Sequence, residues 1–143
     1  MIAADTLDRL RSLLGERLQT TAAAREHHAR DESGHPASLP DAVVFAESTA
    51  DVAAILRLAS QCRLPVVPFG TGTGIEGASI PVRGGLSLDL SRMNRVLEVN
   101  VDDLDACVEA GERDCARKAF QTYLELSPKG NGADYARQQI ERL

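Results

Sequence analysis

A glycine-rich stretch between two strand-like segments constrains this chain more than any other feature. It reads GTGTGIEGASIPVRGG and directly follows the apolar segment LPVVPFG at 64–70. The spacing Gly72-x-Gly74-x-x-Gly77 is that of a dinucleotide fingerprint, a motif whose mechanism requires a helix N-terminus facing a pyrophosphate. Pro81 lies within a few residues of these glycines and would break such a helix. A Rossmann fold is therefore rejected.

The residues after the glycines predict a loop that ends in another strand. LSLDL at 86–90 alternates apolar and polar residues, which is the period of a strand. A glycine-rich loop can still hold phosphate, because successive backbone amides in alternating left- and right-handed conformations form an anion nest. Thr71 and Thr73 add hydroxyl donors. We therefore predict phosphate binding by this loop; the alternative is a glycine-rich surface turn without a ligand.

The segment before the glycines predicts a βαβ unit. AVVF at 42–45 is typical of a buried strand. Ser48 and Asp51 form a capping pattern ahead of a helix that is expected to run to about Cys62. LPVVPFG then supplies a second strand, which should be parallel to the first and joined to it by a right-handed crossover. The predicted apolar face of the helix consists of Val52, Ile55, Leu56 and Ala59.

The N-terminal residues predict one helix followed by a polar loop. The helix is indicated by leucines at three- and four-residue spacing, namely Leu7, Leu10, Leu14 and Leu18. REHHARDESGHPASLP follows and is predicted to be a connecting loop, since Gly34, Pro36 and Pro40 interrupt it. The alternative is a metal site built from its polar side chains, His27, His28, Asp31, Glu32 and His35.

Downstream of the loop, RVLEVNV at 95–101 and LDACVEAG at 104–111 predict a β-meander, so the fold class is α+β. Cys62 and Cys107 are predicted to be small buried hydrophobes. A net charge of −5 argues against nucleic acid as a partner. No apolar run is long enough to span a bilayer, and no targeting segment is recognised, so a cytoplasmic location is expected.

PVVPFGTGTGIEG together with GGLSLDLSRMNRVLEVNVDDLDACVEAG resembles the flavin-binding (PCMH-type) domain of the vanillyl-alcohol-oxidase superfamily. The most similar branch contains the FAD-linked D-lactate dehydrogenases of the cytochrome type and the glycolate oxidase subunits. The resemblance implies FAD as cofactor and, in full-length relatives, a small 2-hydroxy acid as substrate. It also implies that backbone amides of the loop hold the FAD pyrophosphate. The implied cofactor-binding residues are Pro68, Gly70, Thr71, Gly72, Thr73, Gly74 and Gly77; the role of Glu76 is left open, and no catalytic residue or metal ligand is implied.

The resemblance covers residues 1–111 and implies the N-terminal half of such a domain. We therefore predict three regions: a helix and polar loop at 1–36, a partial FAD-binding domain at 37–111, and a two-helix tail at 112–143 that resembles the end of a tetratricopeptide-repeat array. Two alternatives to a flavin-binding dehydrogenase fragment are retained: a truncated or fused product without turnover, and an interaction module that uses the tail. We expect the tail to pack on the sheet edge, or the chain to pair with a second copy of itself.

Overall fold

The fold was analysed in a computed structural model, which describes residues 1–100 and 105–109 and the single residues Gln121, Glu125 and Arg137. The chain divides into two compact units, Met1–Met93 and Asn94–Leu143. The predicted two-helix tail lies outside the described residues, apart from those three helical positions. The boundaries predicted at 36/37 and 111/112 stay predictions.

The first unit is built on a four-stranded sheet in the order β1-β2-β4-β3. Its strands are β1 (Leu18–Gln19), β2 (Ala42–Phe45), β3 (Val66–Phe69) and β4 (Leu86–Asp89). β2 and β3 both run parallel to β4, which lies between them, while β1 pairs antiparallel with β2. The predicted α+β fold and the parallel orientation of the βαβ strands are confirmed, and β4 fills the position between them.

Three helices accompany this sheet: α1 (Ala4–Leu14), α2 (Ala22–His27) and α3 (Thr49–Gln61). The predicted cap of α3 is confirmed, because the Ser48 hydroxyl accepts a hydrogen bond from the Asp51 amide at 3.1 Å. The Asp51 carboxylate in turn accepts from the Glu47 amide at 3.1 Å. The helix ends at Gln61, with Cys62 as its C-cap.

Three helix predictions were wrong in detail. Leu18 belongs to β1, because α1 ends at Leu14 and a turn of 3₁₀ helix follows at Gly15–Arg17. The polar segment begins with the short helix α2, which Thr21 caps by accepting from the Ala24 amide. On α3, Leu56 is exposed and Leu58 is buried instead, since the buried face is centred on Ile55, Leu58 and Ala59.

The main core lies between the helices and one face of the sheet. Alternate strand residues point to this face, and they pack with side chains of α1 and α3. The cluster includes Leu10, Leu14, Ala42, Val44, Ile55, Leu58, Leu86 and Leu88. The opposite face carries buried Val43, Ser87 and Asp89. This second face is where polar groups of the sheet meet the segment that begins with α2.

The second unit contains an antiparallel pair, β5 (Val96–Asn100) and β6 (Asp105–Val108), which confirms the predicted meander. The register of this strand pair shifts between Val96 and Glu98. Cys107 is exposed, so its prediction as a buried residue was wrong, whereas Cys62 is half-buried. Within the described part of the chain, no helix is long and apolar enough to cross a membrane.

Candidate functional site

The candidate site lies at the carboxyl ends of the parallel strands, where open α/β sheets commonly bind ligands. The loop from Gly70 to Gly85 leaves β3 there, and it contains no helix. This confirms that the dinucleotide-like spacing does not belong to a Rossmann fold. β3 is an edge strand of the sheet. Pro68 has no backbone N–H to donate, which an edge strand tolerates, and its side chain is exposed.

The first half of this loop presents backbone groups that are free to bind a ligand. Gly72 and Gly77 have φ angles of +71° and +74°, in the left-handed region that favours glycine. Among the described residues, no group accepts a hydrogen bond from the backbone amides of residues 70–74. The hydroxyls of Thr71 and Thr73 are exposed and lie 2.8 Å apart. The loop therefore offers a row of unpaired donors, which is what an anion requires.

A buried aromatic wall supports Gly72. A Cβ at this position would lie 2.9 Å from Cζ of Phe69, so the absent side chain is what lets the loop turn across the ring. The Phe69 ring is itself buried and packs against the imidazole of His28, with the ring centroids 4.3 Å apart and the ring planes inclined by 50°. Gly72 is thus placed by contact with the last residue of β3.

His28 is held by two acceptors and pairs with the end of β4. Its Nδ1 donates to the Ala24 carbonyl and its Nε2 to the Asp89 carboxylate, each at 2.8 Å. Burial opposes ionisation of Asp89, but hydrogen bonds from His28 and Ser91 outweigh it and keep the pKa of this carboxyl below its usual value. Since an ionised carboxylate and a carbonyl can only accept, both ring nitrogens of His28 face acceptors. No local sequence pattern indicates this pair, because 61 positions separate its members.

A cleft of about 890 Å³ lies between the glycine loop and the segment that follows α2. Phe69, Thr71 and Gly72 line one side. The other side carries charged and titratable groups of both signs, namely Glu26, His27, Arg30, Asp31, Glu32 and His35. The polar segment predicted as a connection is therefore the second wall of the cleft. Among the residues that the structure describes, no group of three His, Cys, Asp or Glu side chains is placed so that it could hold a metal ion.

Three contacts join the polar segment to the glycine loop beyond Gly72, and one of them is a hydrogen bond from the Ser38 hydroxyl to the Pro81 carbonyl at 3.0 Å. Ser79 donates from its hydroxyl to Asp31 at 3.2 Å, and the other oxygen of Asp31 accepts from the Ser33 amide at 3.0 Å. The His35 ring lies against Gly77, where a Cβ would be 2.6 Å from its Cδ2. Hydrogen bonds from Ser33 and then from Ser79 lower the pKa of Asp31, so this carboxyl is ionised at neutral pH.

The predicted site residues fall into two groups. Thr71 and Gly72 line the cleft, and Gly70, Thr73 and Gly74 belong to the same run of unpaired backbone. Gly77 lies farther along the loop and borders a second cavity of about 390 Å³, together with Glu76. Sequence reasoning missed Arg30 as a wall residue, and it did not separate His28, which is buried, from His27 and His35, which face the cleft.

These residues fit a dinucleotide cofactor. The glycine at position 72 leaves a cradle that a Cβ would fill, the neighbouring amides are unpaired, and the cleft is large enough to hold part of a large ligand. The model of the FAD binding domain family matches residues 40–124, which is more than half of the chain. The chain therefore belongs to this family, and the prediction of FAD as its cofactor is confirmed.

Two named relatives indicate the branch of this family to which the chain is similar. The chain is 41% identical over 129 residues to a probable mitochondrial D-lactate dehydrogenase of Danio rerio, which covers 87% of the chain and 25% of that protein. It is 35% identical over 112 residues to the glycolate oxidase subunit GlcD of Bacillus subtilis strain 168, which covers 78% and 24%. The predicted resemblance to the D-lactate dehydrogenase and glycolate oxidase branch is confirmed. The chain spans about a quarter of the length of these relatives.

The fold also matches solved structures. An alkyldihydroxyacetonephosphate synthase superposes with a TM-score of 0.73 at 26% identity, over 89% of this chain and 25% of the synthase chain. The arrangement of α1, the four-stranded sheet and the long loop after β3 is thus an established FAD-domain architecture, which confirms the predicted fold class.

Proposed function

We propose that this chain supplies the pyrophosphate-binding part of an FAD-linked dehydrogenase that acts on small 2-hydroxy acids. The observation that carries the proposal is the row of unpaired amides at residues 70–74, which opens on the 890 Å³ cleft. A pyrophosphate carries two negative charges, and backbone donors bind such groups without a large change in conformation. The remaining residues of the proposed site are Pro68, which precedes the last residue of β3, and Gly77, which has a positive φ.

The chain's own residues act on the cofactor in three ways. Amides of Gly70 to Gly74 and the hydroxyls of Thr71 and Thr73 donate hydrogen bonds to phosphate oxygens. Arg30 on the opposite wall offsets part of the phosphate charge. The Phe69 ring keeps water from the base of the loop. The flavin, when bound, supplies the redox chemistry, namely acceptance of a hydride from the 2-hydroxy acid.

The substrate class is proposed from the relatives, which are named as D-lactate dehydrogenase and glycolate oxidase. We assign none of the described side chains to the substrate. Rate enhancement requires groups that hold the reacting carbon near the flavin and stabilise developing charge. We therefore expect the 143-residue chain to bind FAD but not to oxidise D-lactate or glycolate. Dye reduction above the level of free flavin would contradict this expectation and favour a complete active site.

Titration of the chain with FAD, followed by flavin fluorescence, tests the proposal. We expect saturable binding that ADP, which contains the pyrophosphate, displaces and that riboflavin, which lacks it, does not displace. Displacement by riboflavin alone would place recognition on the isoalloxazine ring and overturn the assignment of the loop. A folded chain that binds no flavin would favour the non-catalytic alternatives, including an interaction module.

A further inference from the structure

We propose that Asp31 is a positioning residue that, through its hydrogen bond with Ser79, holds the glycine loop in the conformation that presents the amides of residues 70–74 to phosphate. This inference rests on the proposed function and deepens it, because it assigns a role to the segment opposite the loop. That segment faces the loop across the cleft, and no motif in it indicates such a role.

The geometry of the Asp31 carboxylate favours a structural tie between the two walls. One oxygen accepts from the Ser33 amide at 3.0 Å, which fixes the side chain on its own segment. The other accepts from the Ser79 hydroxyl at 3.2 Å, across 48 positions of sequence. The same oxygen lies 3.6 Å from where a Cβ of Gly74 would be, so the carboxylate also touches the stretch with unpaired amides.

Direct contact between Asp31 and the cofactor is unfavourable. The carboxyl is ionised at neutral pH, and like charges at short range repel a pyrophosphate. Both of its oxygens already accept hydrogen bonds from the protein. A negative charge beside an anion site therefore costs binding energy, unless the carboxylate offsets that cost by keeping the amides in place.

The rest of the loop has few other supports. Beyond Gly72, the His35 ring against Gly77 is a van der Waals contact, and the Ile80 amide donates to the Gly77 carbonyl at 3.2 Å. The Ser38 hydroxyl donates to the Pro81 carbonyl at 3.0 Å, but this bond lies toward the end of the loop. None of these three interactions involves residues 73–76. The carboxylate of Asp31 is the polar tie near this stretch among the described residues.

The sign of the effect on FAD affinity distinguishes positioning from simple electrostatics. Asp31→Ala and Glu32→Ala each remove one negative charge from the same wall, and the described residues show no hydrogen bond to the exposed Glu32 side chain. If charge alone mattered, both variants would bind FAD and ADP more tightly. Positioning predicts that Asp31→Ala binds both about tenfold more weakly, the effect of losing a hydrogen bond to a charged group, while Glu32→Ala does not weaken binding.

Two further measurements separate this role from general destabilisation. Ser79→Ala should weaken FAD binding in the unchanged chain but add nothing in the Asp31→Ala background, because both substitutions remove the same tie. Without any flavin, amide hydrogen exchange should accelerate at residues 73–79 in Asp31→Ala, while the amides of β2 and β4 keep their protection. Asp31→Asn, which retains one acceptor oxygen, should recover part of the affinity.

The outcomes separate this inference from the proposed function. FAD binding by the unchanged chain, with equal or higher affinity in Asp31→Ala, would overturn the positioning role and leave the function intact. Additive effects of the Asp31 and Ser79 substitutions would also overturn it. Absence of FAD binding by the unchanged chain would overturn the proposed function and this inference together.

Discussion

Two pairs of glycines in one loop share the same backbone conformation but differ in what they do. Gly72 and Gly77 near the start, and Gly84 and Gly85 at the end, all have φ between +65° and +82°. At the end of the loop the amides are used by the fold: Gly84 donates to Pro81 at 2.8 Å, and Gly85 donates to the Asp41 carboxylate at 3.1 Å. At the start, the described residues provide no acceptor for the amides at 70–74.

The difference shows that a positive φ at glycine does not by itself indicate a binding site. Gly85 directly precedes β4. Its carbonyl accepts hydrogen bonds from the amides of Asp41 and Ala42 at 2.8 and 3.3 Å, and these bonds align β2 with β4. A Cβ there would overlap the backbone oxygen of Pro65. Gly72 instead faces a cleft, and its missing side chain makes room next to a ring. Whether the backbone donors are already paired is what separates the two roles.

The largest effect is expected at Gly85, where substitution should break the fold. In Gly85→Ala, the left-handed conformation and the overlap with the Pro65 backbone together cost about 3–5 kcal/mol of unfolding free energy. Urea unfolding followed by circular dichroism measures this loss. Gly34→Ala is the control, because Gly34 has open space around it and an ordinary φ. A Gly85→Ala chain as stable as the control would contradict the structural role.

Substitution at Gly72 should separate binding from stability. We expect Gly72→Val to weaken FAD binding by about 100-fold, because the branched side chain disfavours the positive φ and occupies the approach to the amides. Its unfolding free energy should fall by about 2–3 kcal/mol, because the left-handed conformation is strained and the Phe69 ring must shift to admit a side chain. Flavin fluorescence and urea unfolding provide the two measurements.

Gly34→Val is the matched control for the change in size and branching at Gly72. Equal FAD affinity in Gly72→Val and the unchanged chain would remove the loop from the binding site. Complete unfolding of Gly72→Val would show that both glycine pairs are structural, which would break the distinction drawn between them.

A smaller effect is expected from the buried pair of His28 and Asp89. The His28 ring packs against Phe69, and Phe69 in turn contacts the binding half of the loop. Asp89→Ala leaves the His28 ring and the Ser91 amide without an acceptor and should cost about 2 kcal/mol at pH 7. Since the folded pKa of Asp89 lies below its unfolded value, this stabilisation is present above about pH 4 and is lost as the pH falls further.

Thermal unfolding at pH 7 and near pH 3 tests this dependence. The difference between the unchanged chain and Asp89→Ala should shrink at the lower pH. Asp89→Asn is the conservative control: its amide can satisfy the same neighbours with a neutral imidazole, so it should lose less stability at pH 7. A gap that is constant or grows toward low pH would contradict the ionised pair.

Much of the site could be predicted because its signals are local. Ser48 caps α3 three residues ahead of the amide it binds, and the strand at Ala42–Phe45 was predicted with its observed bounds. Pro81 excludes a helix after the glycines, so the dinucleotide-like spacing predicts a loop, as the structure shows. The wrong predictions have local causes too. Leu18 follows the leucine spacing of α1 but lies in β1, because Gly15 ends the helix and leucine spacing alone does not show where a helix ends.

The sequence alone therefore determined the order of β2, α3, β3 and β4 and the position of the glycine loop, since each depends on neighbours within a few positions. Only the tertiary structure decided which groups face one another. It placed β4 between β2 and β3, which brought Asp89 to His28 across 61 positions, and it set Asp31 beside Ser79 across 48. Such contacts depend on strand order and on burial of the whole sheet, and these are properties of the packed chain that no short window of sequence contains.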